Sequence, residues 1–259
     1  MTAGFRELLS GAGRALSGTF VKIPTALSVD LLALAGFDFV VIDMEHAPLD
    51  VTVVHELIGA ARGRAIPALV RVPDHTASTI SRVLDSGAAG VVVPHVDDVD
   101  QARAVIRAAR FPPHGTRGFG PTVRAGDWGR NARGYRASGE ECVVVLQLES
   151  RAAVRAASDI AALDGVGGLF VGPVDLAVET GLDRDSAEFT ALLATAEAAA
   201  EQHGIPIGTA VSPDPGAARD RAGRYAFVVA GNDASLLCTA GVALVDAVLA
   251  PEPNTFAAR

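Results

Sequence analysis

The sequence predicts an α/β fold, a single (β/α)8 TIM barrel, and three observations lead to that prediction. The chain has 259 residues, a length that α/β barrels commonly reach as one domain. Eight short apolar segments alternate with eight Ala- and Leu-rich segments, so the mean repeat is about 32 residues, the size of one βα unit of a barrel. Each apolar segment is continuous, as expected of parallel strands that are covered on both faces.

The predicted elements follow one another in a regular order. The strands cover residues 18–23, 37–43, 68–72, 90–94, 142–148, 168–171, 206–209 and 225–229. The helices cover residues 28–35, 52–62, 77–86, 99–110, 151–163, 186–203, 214–221 and 234–249. A doubly wound open sheet is the alternative, but it usually has a glycine-rich phosphate-binding turn after its first strand. Gly11, Gly13 and Gly18 come too early and at the wrong spacing for that turn.

One connection is much longer than the others. Residues 111–139 are rich in Gly, Pro and Arg and join the fourth and fifth predicted strands. Connections of this length in a compact domain are usually functional or disordered. We therefore expect part of this segment to extend along the barrel or to contact another subunit. For His114 and Arg117, a role at an interface or a lid and contact with the substrate are equally compatible with the sequence.

Composition excludes several classes of protein. The net charge of −8 provides no basic surface for nucleic acid or anionic membranes, and the 49% hydrophobic content excludes a disordered chain. No run approaches the about 18 apolar residues of a membrane span, and residues 1–16 lack the apolar core of a signal peptide. Cys142 and Cys238 form no CxxC motif and are expected to be free thiols. We expect a cytoplasmic protein that acts on a small molecule.

Lysine is almost absent from this arginine-rich chain. Lys22, at the end of the first predicted strand, is the only lysine. Enzymes that form a Schiff base with their substrate require a lysine amine. If the protein uses that chemistry, only Lys22 can supply the amine.

Polar residues cluster where predicted strands end. Catalytic groups of barrels lie at the carboxyl ends of the strands, where they converge on one mouth. The residues at these ends are Lys22, Asp43, Glu45, His46, Arg71, Gln147, Glu149, Gly172 and Asp175. Their convergence predicts an active site.

Two of these carboxylates suit a divalent cation. Mg²⁺ commonly binds one or two protein carboxylates and keeps several waters. Glu149 and Asp175 are the best candidates, although a helix cap at Asp175 and a salt bridge at Glu149 are equally compatible with the spacing.

Acid–base and anion-binding groups lie beside them. A carboxylate can hold a histidine in one tautomer, and Asp43 precedes His46 by three residues, so this pair suits general acid–base catalysis. Arg71 suits a substrate carboxylate or a developing oxyanion. His46 could equally be an ordinary loop histidine, and Arg71 could form a structural ion pair with Glu45 or Asp43.

Six segments resemble one known family in order along nearly the whole chain. They are AGFDFVVIDMEHAP (35–48), ALVRVP (68–73), VLDSGAAGVVVPHV (83–96), FPPHGTRGFGP (111–121), LQLES (146–150) and GLFVGPVDLAVETG (168–181). These segments resemble the HpcH/HpaI aldolase family of metal-dependent pyruvate aldolases. The resemblance implies one barrel domain over residues 1–259 and a homo-oligomer, a hexamer formed as a trimer of dimers that exchange their last helix.

The resemblance also implies ligands for a metal and for pyruvate. Glu149 and Asp175 would bind Mg²⁺, Mn²⁺ or Co²⁺, and Gln147 would hold water or pyruvate. The backbone of Gly172, Pro173 and Val174 would receive the pyruvate carboxylate.

The remaining roles implied by the resemblance concern the reaction itself. His46 with Asp43 would form the acid–base dyad, and Arg71 would stabilise the enolate oxygen. Arg124 would reach the far end of the acceptor. Lys22 stands where familiar members have small or apolar residues, which affects the expected acceptor.

The implied reaction is reversible cleavage of a 4-hydroxy-2-oxoacid to pyruvate and an aldehyde through a metal-stabilised enolate. Three different functions are also compatible with the sequence. They are a citrate lyase β-subunit or malyl-CoA lyase type of enzyme, a lysine-dependent aldolase that uses Lys22, and a non-catalytic barrel that binds a ligand.

Overall fold

The computed structural model describes residues 4–249 and confirms the predicted barrel. Eight parallel strands close in sequence order, each paired with the next and the eighth with the first. The strands are β1 (Leu16–Val21), β2 (Phe39–Asp43), β3 (Ala68–Arg71), β4 (Gly90–Val93), β5 (Val143–Leu148), β6 (Gly168–Val171), β7 (Ile207–Val211) and β8 (Phe227–Asn232).

Helices cover the outside of the barrel and close one end. They are α1 (Phe5–Gly11), α2 (Ala26–Leu34), α3 (Val51–Gly63), α4 (Ala77–Asp85), α5 (Val99–Ala109), α6 (Ala132–Glu141), α7 (Arg151–Ala161), α8 (Pro173–Thr180), α9 (Ala187–His203), α10 (Pro215–Ala222) and α11 (Asp233–Leu249). A short 3-10 helix, Arg124–Gly129, precedes α6.

Alternate strand residues build the inside of the barrel, because successive side chains of a strand point to opposite faces. The inward-facing residues form one apolar cluster: Leu16, Phe20, Phe39, Val41, Leu69, Val92, Val143, Val145, Phe170, Phe227 and Val229. Phe5 of α1 closes the amino-terminal end, with its ring centroid 4.8 Å from that of Phe39 and 5.6 Å from that of Phe227. The interior is therefore a packed core, and among the described residues Phe5 covers its amino-terminal end.

The same alternation places polar groups at the open end. Two residues beyond Phe20, Val41, Leu69, Val145 and Phe170, each strand reaches its next inward position. Those positions are Lys22, Asp43, Arg71, Gln147 and Gly172. The mouth of the barrel is the polar top layer of the same stack of side chains that forms the core.

The predicted helices are all present, but the structure adds three that the sequence does not predict: α1, α6 and α8. Tertiary packing explains α6, whose two glycines lower its intrinsic helix propensity. Gly139 lies so close to the Phe111 ring that a Cβ there would collide with it. Tyr135 is fully buried against the same ring, with centroids 5.0 Å apart.

The long connection packs on the outside of the barrel. Arg117 is buried, 2.7 Å from Asp85 of α4, and its guanidinium lies over the Phe111 ring at 4.6 Å from the centroid. The 3-10 helix lies against α4 and α6. In the described residues this segment is therefore anchored to its own barrel, and Arg117 has a structural role.

Helix α11 leaves many large apolar side chains exposed to solvent. Its exposed apolar side chains are Leu237, Val242, Leu244, Val245, Val248 and Leu249. Leu27, Leu31 and Leu34 of α2 are exposed as well. Within residues 4–249, no helix combines the length and the apolarity that a membrane crossing requires.

Candidate active site

A cavity of about 420 Å³ opens at the carboxyl ends of the strands. Its lining includes most of the residues that the sequence predicts for the site: Lys22, His46, Arg71, Gln147, Gly172 and Asp175. Pro173 and Val174, at the start of α8, line it too. The structure therefore brings groups from β1, β2, β3, β5 and β6 to one mouth.

Arg71 is held by groups on several sides. Its Nε and one terminal nitrogen donate to the two Asp43 oxygens at 2.9 and 2.8 Å. The other terminal nitrogen lies 3.0 Å from Glu45 Oε2, and the guanidinium covers the Phe20 ring at 4.4 Å from the centroid. Both ion pairs that the sequence left open, with Asp43 and with Glu45, are present. The guanidinium is buried in a fixed orientation.

Asp43 is a fully buried anion beside two cations. Lys22 Nζ lies 3.2 Å from its Oδ2, and the backbone N–H groups of Glu45 and His46 donate to its Oδ1. Burial alone would raise the pKa of Asp43, but the hydrogen bonds and the charge of Arg71 outweigh it and hold the pKa below its ordinary value. Asp43 therefore remains ionised at neutral pH.

The His46 ring lies at the rim, with its side chain 52% exposed. Its Nε2 is 3.8 Å from Glu45 Oε2. The Asp43 carboxylate instead accepts from the backbone N–H of His46 and from the guanidinium of Arg71. Asp43 thus stabilises the turn after β2 and does not contact the His46 ring as the predicted dyad requires. The carboxylate found beside the histidine ring is that of Glu45.

Glu149 and Asp175 face a common point. A Cβ added to Gly172 would lie 3.3 Å from both Glu149 Oε2 and Asp175 Oδ2. The two carboxylate oxygens therefore lie in the same small region beside Gly172. The Gln147 amide donates to Glu149 Oε2, and no described residue donates to the buried Gln147 Oε1. Two hard oxygen ligands that converge beside the bare Cα of Gly172 fit a divalent cation.

The two carboxylates differ in burial. Glu149 is 4% exposed at the end of β5, and Asp175 is half-buried in the first turn of α8. Burial raises the pKa of Glu149, and the His95 backbone N–H opposes that rise. A cation near Glu149 Oε2 would favour the ionised carboxylate, because it offsets the cost of burial.

Glu45 and His95 belong to this site. The sequence placed Glu45 among the strand-end residues as a possible ion-pair partner of Arg71, but it did not select His95. Glu45, His95 and Glu149 have ligand atoms within 4.8 Å of one another. Glu45 has a largely buried side chain that pairs with Arg71 and His95. His95 follows β4, the one strand before β5 whose end provided no predicted site residue. Its position could have indicated it, because His95 comes two residues after the last residue of β4, where barrel enzymes place catalytic groups.

Two other predicted residues have distinct surroundings. Lys22 is fixed by its backbone N–H, which donates to buried Asp233 at 2.9 Å. Arg124 lies away from the cavity, where it donates to the His55 carbonyl of α3 and faces Gly59. Within one chain, Arg124 therefore does not reach the group formed by His46, Arg71 and Glu149.

Comparison with known proteins identifies the family. The model of the HpcH/HpaI aldolase/citrate lyase family matches residues 16–248. The chain belongs to this family. The matched residues contain all eight strands and every residue of the site described above.

Named relatives of the family are similar over different lengths. The chain is 33% identical over 232 residues to a 5-keto-4-deoxy-D-glucarate aldolase of Klebsiella pneumoniae, covering 89% of this chain and 91% of the relative. It is 41% identical over 180 residues to a 4-hydroxy-2-oxovalerate aldolase of Rhodococcus jostii, covering 68% of each. A family member from Burkholderia cenocepacia has a solved structure with a TM-score of 0.89 and 31% identity, covering 95% of this chain and 98% of that one.

Proposed function

We propose that the protein is a divalent-metal-dependent pyruvate aldolase that reversibly cleaves a 4-hydroxy-2-oxoacid to pyruvate and an aldehyde. The observation that supports it most strongly is the convergence of Glu149 Oε2 and Asp175 Oδ2 beside Gly172, in the cavity that Arg71 and His46 also line. The relatives named above, two aldolases of 2-oxoacids, support the same reaction class.

Glu149 and Asp175 would hold the cation, with Gln147 orienting Glu149. Mg²⁺, Mn²⁺ or Co²⁺ would supply Lewis-acid stabilisation of the enolate form of pyruvate. The Gly172–Val174 turn would receive the pyruvate carboxylate. Pro173 has no N–H and the Gly172 N–H faces the Leu148 carbonyl at 3.4 Å, which leaves the Val174 N–H at the start of α8 as the donor.

Arg71 stabilises the negative charge that develops on the pyruvate keto oxygen. Its Nε bonds to Asp43, but each terminal nitrogen has a second N–H beyond those that face Asp43 and Glu45. Because the guanidinium is already fixed, it needs no reorganisation when charge appears, and preorganised donors of this kind are the largest single contribution in many active sites.

His46 removes the proton of the 4-hydroxyl group in the cleavage direction. The C3–C4 bond then breaks, with its electrons passing into the enolate of pyruvate, and the aldehyde leaves. Protonation of the enolate carbon completes pyruvate. The exposed ring lines the cavity and has the freedom to contact the hydroxyl directly or through one water.

Lys22 has no covalent role in this proposal. Its Nζ lies 3.2 Å from Asp43 Oδ2 and 3.4 Å from the His46 carbonyl, a position that suits a charged ammonium group. A Schiff-base aldolase requires a neutral amine that can attack a carbonyl. Among the described residues, the Lys22 nitrogen is engaged by Asp43, and no neighbouring base directs it at a substrate carbonyl.

A retro-aldol screen over 4-hydroxy-2-oxoacids, with pyruvate detected by a coupled assay, tests the proposal. We expect activity that EDTA abolishes and that Mg²⁺, Mn²⁺ or Co²⁺ restores, and a Glu149→Ala variant without metal-dependent activity. Borohydride in the presence of pyruvate should leave the protein unmodified. EDTA-resistant activity with borohydride labelling at Lys22 would instead establish the lysine-dependent mechanism.

The same screen distinguishes a pyruvate aldolase from a thioester lyase and from a binding protein. A citrate lyase or malyl-CoA lyase type of enzyme would cleave citryl or malyl thioesters and leave 4-hydroxy-2-oxoacids intact. A non-catalytic barrel would cleave neither group of substrates with any of the three cations.

We also propose that the protein works in the cytoplasm as a homo-oligomer, a hexamer formed as a trimer of dimers. The exposed apolar residues of α11 and α2 support this assembly, because large apolar side chains grouped on a surface mark interaction sites. No role in binding nucleic acid or membranes is proposed for it.

A further inference from the structure

We propose that His95 is a positioning residue for the metal ligand Glu149, and that its imidazole ring sets the affinity of the site for the cation. The inference rests on the proposed function, because it takes Glu149 as a metal ligand. It concerns a residue at the end of β4 that lines neither the substrate cavity nor the core.

The two oxygens of Glu149 have separate partners. Oε1 faces the backbone N–H of His95 at 2.7 Å and the ring Nδ1 of His95 at 2.7 Å. Oε2 accepts from the Gln147 amide and faces the same point as Asp175 Oδ2. Because His95 engages Oε1 twice, the carboxylate cannot rotate without losing these contacts. Oε2 is therefore the oxygen presented to the cation.

The backbone of His95 is arranged for this double contact. Its φ of 55° lies in the left-handed region, which non-glycine residues adopt uncommonly. That conformation brings the N–H and the ring nitrogen to the same oxygen. Unfavourable backbone conformations persist where the surroundings impose them, and they cluster at functional sites.

The ring also connects the metal ligands to the anion-binding group. Its Nε2 lies 3.2 Å from Glu45 Oε1, and Glu45 Oε2 lies 3.0 Å from Arg71. One imidazole therefore bridges the carboxylate that would bind the cation and the carboxylate that fixes Arg71. Groups that orient metal ligands in this way typically contribute about 10–100-fold to metal affinity.

Measurement of Mn²⁺ binding to the full-length protein, by electron paramagnetic resonance of the free ion, tests the inference without relying on catalysis. His95→Gly removes the ring and keeps the N–H, because glycine adopts the left-handed conformation freely. We expect its Kd for Mn²⁺ to rise about tenfold or more. His95→Asn retains a side-chain donor and tolerates the same backbone, so a smaller rise is expected.

Two further variants define the controls. His114→Ala removes another exposed histidine, in a cavity below the barrel, and should bind Mn²⁺ as the wild type does. Glu149→Gln should lose binding. Saturating Mn²⁺ should return kcat of His95→Gly to within about threefold of the wild type, since the ring acts through the ligand, whereas a loss of folding would lower kcat at every metal concentration.

The outcomes separate the inference from the proposed function. Wild-type Mn²⁺ affinity in both His95 variants, together with loss of binding in Glu149→Gln, would overturn the role of His95 and leave the metal site standing. Absence of Mn²⁺ binding in the wild type, or unchanged binding in Glu149→Gln, would overturn both. If His95→Gly is too unstable to purify, the affinity of His95→Asn decides the question.

Discussion

Arg71 illustrates how single residues at this site are fixed before any substrate arrives. Its guanidinium rests on the Phe20 ring and pairs with both Asp43 oxygens and with Glu45. Lysine retains the charge but has neither the planar shape nor the two-pronged contact with a carboxylate. Position and direction, more than charge alone, should therefore determine the contribution of Arg71.

Arg71→Lys should lower kcat/KM for retro-aldol cleavage by about 100-fold, in the range found when one preorganised donor to an oxyanion is lost. Steady-state kinetics at saturating metal measures the effect. Arg151→Lys is the matched control, because Arg151 forms an outer ion pair with Glu188 at 3.1 Å and should change kcat/KM by less than about twofold. A near-wild-type rate for Arg71→Lys would remove it from the mechanism.

At the level of residues, the side chains that can be predicted from the sequence with most ease are those that the alternation of a strand directs into the barrel. Asp43, Arg71 and Gln147 each lie two residues beyond an apolar inward position, so the strand pattern is sufficient. Beyond the strand ends that rule no longer applies: the sequence placed Glu45 near the mouth without a defined catalytic role and did not select His95. The left-handed turn at His95 has no glycine to indicate it, and its contact with Glu149 spans 54 residues.

At the level of elements, the junction of β1, α2 and α11 depends on one buried carboxylate. Asp233, the first residue of α11, accepts from the backbone N–H groups of Lys22 and Ile23 and from the Ser28 hydroxyl at 2.6 Å. It thereby fixes the turn after β1, from which Lys22 enters the cavity. These three donors, and the backbone N–H of Ala234, would lose their partner if this carboxylate were removed.

Asp233→Ala should lower the free energy of unfolding by about 3 kcal/mol or more, since each buried donor left without a partner costs about 1–3 kcal/mol. Urea denaturation monitored by circular dichroism measures it. Asp214→Ala, which removes an exposed N-cap of α10, should cost only about 1 kcal/mol. Equal losses in the two variants would contradict the structural weight given to Asp233.

Helices with an uninterrupted apolar face were predicted, and those that depend on distant contacts were not. Residues 99–110 already show the face that α5 buries, and the observed helix is Val99–Ala109. Helix α8 is short and begins with a proline, so it has little periodicity of its own. Helix α6 contains Gly134 and Gly139 and is held by packing against Phe111, which no local pattern reveals.

At the level of the whole molecule, the barrel follows from simple repetition, but its exposed faces do not. The eight strands close in order because each βα unit places the next strand beside the last. The sequence predicts a final helix over residues 234–249 but does not show which of its apolar residues are exposed. The structure leaves Leu244, Val245 and Val248 exposed. The packed barrel shows that these side chains are exposed on the single described chain, which supports the proposed assembly.

The proposed assembly predicts a single species of six chains in sedimentation equilibrium. Leu244→Asp places a charge on the exposed face of α11 and should shift the mass towards smaller species, because burying an unpaired charge in an interface is costly. Thr195→Asp, on the exposed side of α9, should leave the mass unchanged. A monomeric wild type, or an unchanged mass for Leu244→Asp, would contradict the assembly.

In the proposed reaction, residues at the mouth of the barrel form the enolate of pyruvate with the help of a divalent cation. Exchange of the pyruvate methyl hydrogens in D₂O, followed by mass spectrometry, tests this step without knowledge of the aldehyde. We predict deuterium uptake with Mg²⁺, Mn²⁺ or Co²⁺ that EDTA abolishes and that Glu149→Ala lacks. No uptake with any of the three cations, or uptake that persists in EDTA and in Glu149→Ala, would refute the proposed chemistry.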